Sequence, residues 1–158
     1  CGGGSNLIGM IHEFLDEPEI IKIGVEAAET AALSNGTPGI MQGMKTYMLQ
    51  TDDGAKSLGG SSLGAGIQYF SVGPQHAFLK DQGVVKYTSA TDKEILEAYK
   101  LIALTEGICS ALEPMAGAAE LIKQAKNKPK DYLICLNLCG TGEKDLNTIQ
   151  EHIGKDFE

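Results

Sequence analysis

Residues 2–25 read GGGSNLIGMIHEFLDEPEIIKIGV, and this stretch decides the fold class. A glycine loop opens it. The apolar residues that follow recur at the spacing of one helix face, which residues 16–18 then end. Residues 20–25, IIKIGV, are short and β-branched, as in a strand that is buried on both faces. A loop, a helix and a strand in this order predict one half of a βαβ unit.

A second strand and helix are predicted from residue 84 onward. Residues 84–89 have the composition of a strand, and Thr91 can cap a helix in which Glu94 completes a capping box three residues later. Apolar residues at helical spacing follow, and Gly107 is placed to end the helix.

The last third of the chain repeats this alternation. A helix is expected from residue 110 or 111 to about Lys126, with Pro114 in its first turn. Residues 132–138, YLICLNL, have the composition of a buried strand, and a short helix is expected over 144–152.

Strands that alternate with helices predict an α/β fold with a mainly parallel sheet flanked by helices. Ligands bind beyond the carboxyl ends of the strands in such sheets. The glycine loops at 2–6 and 139–142 are therefore expected to converge on one site.

The middle of the chain, residues 27–75, is dense in turn signals, and only 44–50 resembles a regular element. An irregular stretch of this length inside a compact domain is typically functional or a lid, and a surface excursion is the alternative. We predict that residues 1–158 form a single segment of domain size.

The composition argues against several classes of protein. The net charge is −8, and the densest basic stretch, 123–130, contains no aromatic residue. We interpret that stretch as a solvated helix end and predict no nucleic-acid partner. No apolar run reaches the roughly 20 residues that cross a bilayer, and no signal-peptide pattern is present, so we expect no membrane partner and a cytoplasmic location.

The four cysteines form no C-x-x-C pair. Because Cys135 lies inside the predicted strand 132–138, we expect reduced, buried thiols and no zinc site. The three histidines are expected at the surface or in loops, with His76 stiffening the turn GPQHA.

The GGGSN segment has the features of a phosphate-binding loop. Glycines let backbone N–H groups approach an anion, Ser5 adds a hydroxyl, Asn6 adds an amide, and the helix N-terminus adds partial positive charge. From these residues alone, a glycine-rich turn without a ligand is an equal alternative.

Several segments occur in an order that resembles one family. They are GGGSNLIGM (2–10), IGVEAA (23–28), GMKTYMLQ (43–50), SVGPQHAFLKD (71–81), TEGI followed by ALE (105–113) and NLCGTGEKD (137–145). Together they resemble the C-terminal part of the tryptophan synthase beta chain, a fold-type II enzyme that depends on pyridoxal 5'-phosphate (PLP). The resemblance covers essentially the whole chain, and the ordered co-occurrence carries it, since GGGSN alone recurs in related PLP enzymes.

This resemblance implies three sets of contacts with the cofactor. Glu113 would stand near the cofactor ring as a catalytic carboxylate, and its alternative is a helix-N-terminal glutamate stabilised by the helix dipole. Cys139 takes the place of a serine that hydrogen-bonds the ring nitrogen. A thiol is a weaker partner that suits a neutral nitrogen, and a packed loop cysteine is the alternative. The phosphate would be bound by Gly2, Gly3, Gly4, Ser5 and Asn6.

The family also implies a cation site and a substrate contact. Gln68 stands where the family has an aspartate that contacts the substrate, so we take Gln68 as a catalytic-site residue that lacks the usual charge. Thr141 and Glu143 replace an arginine and an aspartate of the family, and the loop before GMKTY is several residues shorter. A monovalent cation would be held by backbone carbonyls of Gly2, Ile67, Tyr69 and Ser71.

The function that the resemblance implies is PLP-dependent replacement of the hydroxyl of L-serine by indole to give L-tryptophan, a lyase reaction of amino-acid biosynthesis. The implied partners are an alpha chain that delivers indole and a second beta chain. The family's Schiff-base lysine precedes GGGSN, so we expect the N-terminal part of the architecture to be missing and the fragment alone to be inactive.

Two alternatives stay open. One is another fold-type II PLP lyase or synthase that acts on a different amino acid. The other is a non-catalytic fragment that binds phosphate or a partner chain.

Overall fold

The first predicted helix and strand are present in the computed structural model, which describes residues 1–157. Helix α1 spans Ser5–Ile11 and continues as a 3-10 turn over His12–Phe14. Strand β1 spans Ile23–Ala27, so it begins later than the apolar run suggested. The reason is a turn in which the N–H of Ile20 donates to the carbonyl of Glu17 at 3.2 Å, which leaves Ile20 outside the strand and exposed.

The stretch that follows β1 contains more regular structure than we predicted. An antiparallel hairpin pairs Thr37 with Met48 at one end and Met41 with Met44 at the other. Its two-residue turn has positive φ at both Gln42 (49°) and Gly43 (80°), the backbone twist that matches paired strands. The elements here are a 3-10 turn at Ala28–Thr30, helix α2 at Ala32–Asn35, strands β2 at Thr37–Met41 and β3 at Met44–Met48, and a 3-10 turn at Ala65–Ile67.

The chain divides into two compact units, the first being Cys1–Ser89 and the second beginning at Ala90. The first unit continues with helix α3 at Pro74–Asp81 and strand β4 at Lys86–Ala90, which pairs with β1 in a two-stranded parallel sheet. Ile11, Leu79 and Val85 form a buried apolar cluster between these elements, and further apolar residues of α1 pack against it. The cluster fixes α1 against α3, which sets the position of the glycine loop that precedes α1.

The second unit contains the three helices that the sequence predicts. Helix α4 spans Asp92–Glu106, α5 spans Leu112–Ala125 and α6 spans Leu146–Ile153, with 3-10 turns at Gly142–Asp145 and Gly154–Phe157. The predicted capping box is confirmed, since the Thr91 hydroxyl accepts the N–H of Glu94 and the Glu94 carboxylate accepts the N–H of Thr91. Gly107 ends α4 at φ 67°, as predicted. Helices α4 and α5 pack on one another, and Ile95, Tyr99 and Met115 are buried on them.

The prediction of a buried strand over 132–138 is wrong. Residues 132–138 adopt no strand, and the side chain of Leu133 is 94% exposed. A strand needs a neighbour for its N–H and C=O groups, and no strand among residues 1–157 pairs with this segment. The expectation of a buried Cys135 is wrong for the same reason, because its side chain is exposed.

Candidate functional site

The glycine loop before α1 is held in place by close backbone packing. A Cβ at Gly2 would lie 2.7 Å from the carbonyl oxygen of Gly66 and 2.7 Å from the ring of Tyr69, so no larger residue fits there. The carbonyl of Gly3 accepts the N–H of Gly73, at the start of α3, at 3.0 Å. Two of the three glycines are thus fixed against residues that lie far along the chain.

Gly4 is the most constrained residue of the loop. Its φ of 100° is one that other residues rarely adopt, and a Cβ there would lie 2.2 Å from a ring carbon of His76. Its carbonyl accepts two hydrogen bonds, from the N–H of Ile8 at 3.0 Å and from Nε2 of His76 at 2.7 Å. Ser5 and Asn6 follow as the first residues of α1, and both are exposed.

His76 joins this loop to the sheet. Its side chain is 2% exposed, and its Nδ1 lies 2.8 Å from the hydroxyl of Tyr87 on β4. Since the carbonyl of Gly4 can only accept, we assign the hydrogen to Nε2, so that Nδ1 accepts from the Tyr87 hydroxyl. Burial lowers the pKa of His76, against the opposing effect of the hydrogen bond to Gly4. Burial and the charge of Glu26 raise the pKa of Tyr87, which keeps its hydroxyl protonated as the donor.

Glu26 is a buried carboxylate that the sequence analysis did not single out. It lies on β1 with 1% of its surface exposed and accepts the N–H groups of Leu33 and Ser34, each at 2.8 Å, and the Ser34 hydroxyl. Burial raises its pKa, and the three donors act in the opposite direction. The signal in the sequence was a charged residue inside the apolar strand IGVEA.

The residues expected to hold a cation or contact the substrate lie on one short segment beside Gly2. The carbonyl of Ile67 accepts the hydroxyl of Thr30 at 2.8 Å. The side-chain amide of Gln68 donates to the carbonyl of Ser62. Tyr69 is half exposed, and Ser71 forms a β-bridge with Met48. The structure brings Gly2 against Ile67 and Tyr69, while a cation site of Gly2, Ile67, Tyr69 and Ser71 stays a prediction.

The second unit places Glu113 in a cluster of charges at the start of α5. Nζ of Lys144 lies 2.9 Å from Glu113 and 2.8 Å from Asp145. The carboxylate of Asp145 also accepts the N–H of Leu112 at 2.9 Å, which satisfies a free donor in the first turn of α5. Burial alone would lower the pKa of Lys144, but the two carboxylates outweigh it and raise that pKa. Glu113 is therefore paired with a charged lysine.

The predicted ring-binding loop packs beside the same helix end. Ser110 and Thr141 form an antiparallel bridge, and the N–H of Gly142 donates to the carbonyl of Cys109 at 3.2 Å. A Cβ at Gly142 would lie 2.8 Å from that carbonyl oxygen, so the loop can approach only as glycine. Cys139 precedes this bridge and is half-buried. The structure thus brings the Cys139 loop to the residues that lead into Glu113, and the expected convergence of 139–142 with 2–6 stays a prediction.

Residues 1–157 contain neither a metal-ligand cluster nor a membrane-spanning helix. No group of three or more His, Cys, Asp or Glu side chains there could hold a metal ion. No helix in that range has the length and apolar character to cross a membrane.

Comparison with known proteins confirms the resemblance that the ordered segments suggested. The chain is 46% identical to the tryptophan synthase beta chain of Ruegeria sp. (strain TM1040), over 99% of this chain and 39% of that protein. It is 45% identical to the beta chain of Dinoroseobacter shibae and 44% identical to that of Rhodopseudomonas palustris, in each case over 99% of this chain and 40% of the relative. The chain therefore spans about 40% of the length of these relatives. No protein-family model matches it.

Solved structures confirm the predicted fold class. A variant of O-ureido-L-serine synthase bound to O-ureido-L-serine matches with a TM-score of 0.69 at 17% identity, over 96% of this chain and 40% of that one. A fungal L-serine ammonia-lyase from Rhizomucor miehei matches with a TM-score of 0.65 at 15% identity, over 96% of this chain and 47% of that one. These matches bear on the fold alone, which is the α/β architecture of fold-type II enzymes.

Proposed function

We propose that this chain, a homologue of tryptophan synthase beta chains over its whole length, supplies the phosphate-binding and ring-binding part of a PLP-dependent lyase. The reaction is replacement of the hydroxyl of L-serine by indole to give L-tryptophan. The observation that carries the proposal is the identity of 46% over 99% of the chain, together with a glycine loop whose geometry fits an anion.

The fit of the loop to a phosphate rests on its backbone. There is no space for a Cβ at Gly2 or Gly4. The Gly3 carbonyl accepts the N–H of Gly73, and the Gly4 carbonyl accepts Nε2 of His76. A trans peptide unit is planar, so a carbonyl held on one side directs the next N–H to the other side. The N–H groups of Gly4 and Ser5 therefore face away from α3, where they can donate to a phosphate.

Further donors come from the start of α1. Ser5 and Asn6, which carry a hydroxyl and an amide, are both exposed there. In a chain of net charge −8, an anion needs such local donors because the overall field repels it. When bound, PLP supplies the electron sink for bond breaking at the amino acid.

Glu113, Cys139 and Gln68 have the proposed roles nearer the reacting atoms. Glu113 would stand near the cofactor ring as a carboxylate, held in position by its ion pair with Lys144 at 2.9 Å. The Cys139 thiol would face the ring nitrogen as a weak hydrogen-bond partner. Gln68 can hydrogen-bond a substrate hydroxyl without adding charge.

The remaining parts of the proposal rest on the resemblance to tryptophan synthase beta chains. We infer an alpha-chain partner, a homodimer of beta chains and a cytoplasmic location. A monovalent cation would lie on the carbonyls of Gly2, Ile67, Tyr69 and Ser71. A second candidate function is the same chemistry on another β-substituted amino acid, which the uncharged Gln68 favours.

The proposal is tested by binding PLP, pyridoxal and inorganic phosphate to the purified chain in equilibrium dialysis. Tight binding of PLP, weaker binding of pyridoxal and competition by phosphate would support it. The bound sample is then reduced with borohydride, and any labelled lysine is mapped by mass spectrometry. Labelling of a single lysine would refute the expectation that the chain lacks its own Schiff-base lysine. Equal affinities for PLP and pyridoxal would refute the proposal that the glycine loop binds the phosphate.

A further inference from the structure

We propose that His76 is a positioning residue for the cofactor phosphate, which it serves by fixing the peptide unit between Gly4 and Ser5. This inference rests on the proposed function, since it concerns how the same loop binds phosphate. His76 itself lies behind the loop and is not assigned a contact with the ligand.

The Gly4 carbonyl accepts hydrogen bonds from Nε2 of His76 at 2.7 Å and from the N–H of Ile8 at 3.0 Å. Because the peptide unit is planar, the direction of this carbonyl also sets the direction of the Ser5 N–H. The N–H of Gly73 holds the Gly3 carbonyl in the same way at 3.0 Å and fixes the N–H of Gly4. Two successive donors of the loop are thus oriented by hydrogen bonds from Gly73 and His76 to the preceding carbonyls, and Ile8 also contributes to the second of them.

His76 is itself held in one tautomer and one position. The ring is 2% exposed, Tyr87 donates to its Nδ1, and the two rings pack edge to face with centroids 6.0 Å apart. The Tyr87 hydroxyl therefore keeps the hydrogen on Nε2, where the Gly4 carbonyl needs it. A residue that only filled space would need neither polar contact.

Two substitutions of His76 distinguish the contribution of its Nε2 from that of its Nδ1. A glutamine places its amide nitrogen near the position of Nε2, and an asparagine places it near Nδ1. His76→Gln therefore keeps a donor for Gly4, whereas His76→Asn loses it. Tyr47→Phe serves as the control, because it removes another tyrosine hydroxyl bond, to Asp81, from the same unit.

The experiment measures the dissociation constants of PLP and of unphosphorylated pyridoxal for each variant. We expect His76→Asn to weaken PLP binding about tenfold, the size of one hydrogen bond to a charged group. Pyridoxal binding should stay unchanged, and His76→Gln and Tyr47→Phe should stay within about threefold of the parent for PLP.

The outcomes separate the inference from the proposed function. If the parent binds PLP no more tightly than pyridoxal, the proposed function fails and this inference fails with it. If the parent prefers PLP but the Asn and Gln variants behave alike, or both ligands weaken equally, His76 is only structural. Should His76→Asn not fold, Tyr87→Phe takes its place, with a severalfold loss expected for PLP alone and an unchanged PLP affinity refuting the role of His76.

Discussion

Substitution of Gly4 by alanine should be far more costly than an ordinary change from glycine to alanine. The φ of 100° costs an L-residue about 1–2 kcal/mol. The new Cβ would lie 2.2 Å from the His76 ring, so the ring must move and loses its bonds to Gly4 and Tyr87. At about 1 kcal/mol for each bond, the total is about 3–4 kcal/mol.

The assay is urea unfolding followed by far-ultraviolet circular dichroism, with Gly9→Ala as the matched control. Gly9 lies inside α1 with nothing within 4 Å of an added Cβ, so its substitution should stabilise the chain by about 0.5–1 kcal/mol. In a His76→Ala background the cost of Gly4→Ala should drop to the backbone part, about 1–2 kcal/mol. A loss below about 1 kcal/mol for Gly4→Ala in the parent would refute this reasoning.

Further predictions concern pH and the helix ends. Burial lowers the pKa of His76, so the stability that its neutral form contributes is complete above about pH 6.5 and is lost as the pH falls toward the folded-state value. The free energy of unfolding should therefore fall more steeply below pH 6.5 for the parent than for His76→Gln, measured by urea titration at several pH values, and parallel curves would contradict this. Asp145→Ala should cost about 1–2 kcal/mol, because the Leu112 N–H loses its acceptor; an unchanged urea midpoint would count against it. Thr91→Ala should cost about 1 kcal/mol in thermal unfolding, and Thr105→Ala, within the last turn of α4, less than about 0.5; equal losses would disprove the capping box as the source.

Helix ends were predictable from sequence because their signals are local. The Thr91 and Glu94 side chains cap the backbone within one turn, and Gly107 ends the helix through its own conformation. The apolar face of α1 could be predicted for the same reason, since it is formed by residues that lie three and four positions apart.

Strands were harder to predict because their partners lie far along the chain. The dense turn signals of residues 27–75 do not locate the hairpin turn at Gln42 and Gly43, and the typical turn pair Pro38 and Gly39 lies within β2. An edge strand tolerates proline because one of its sides donates no ladder bond. The run 132–138 has strand composition, but composition cannot supply the neighbour that a strand requires.

In the candidate site, too, local features could be predicted from the sequence and contacts between distant residues could not. The glycine loop that we propose as the phosphate site could be identified from the sequence because the glycines, Ser5 and Asn6 are contiguous. The role of His76 could not, because 72 positions separate it from Gly4 in the sequence and only the fold joins them. The buried position of Glu26 could not be predicted either, because its hydrogen-bond partners lie on α2, a helix that the sequence does not indicate.

Residues 2–6 are the segment that we propose to bind the phosphate of PLP. The most direct test is a titration of the nitrogen-15-labelled chain with PLP and with pyridoxal, followed by amide chemical shifts. We predict that the amide signals of Gly4, Ser5 and Asn6 move strongly with PLP and little with pyridoxal. Shifts of equal size with both ligands, or shifts confined to residues outside the loop, would contradict the claim.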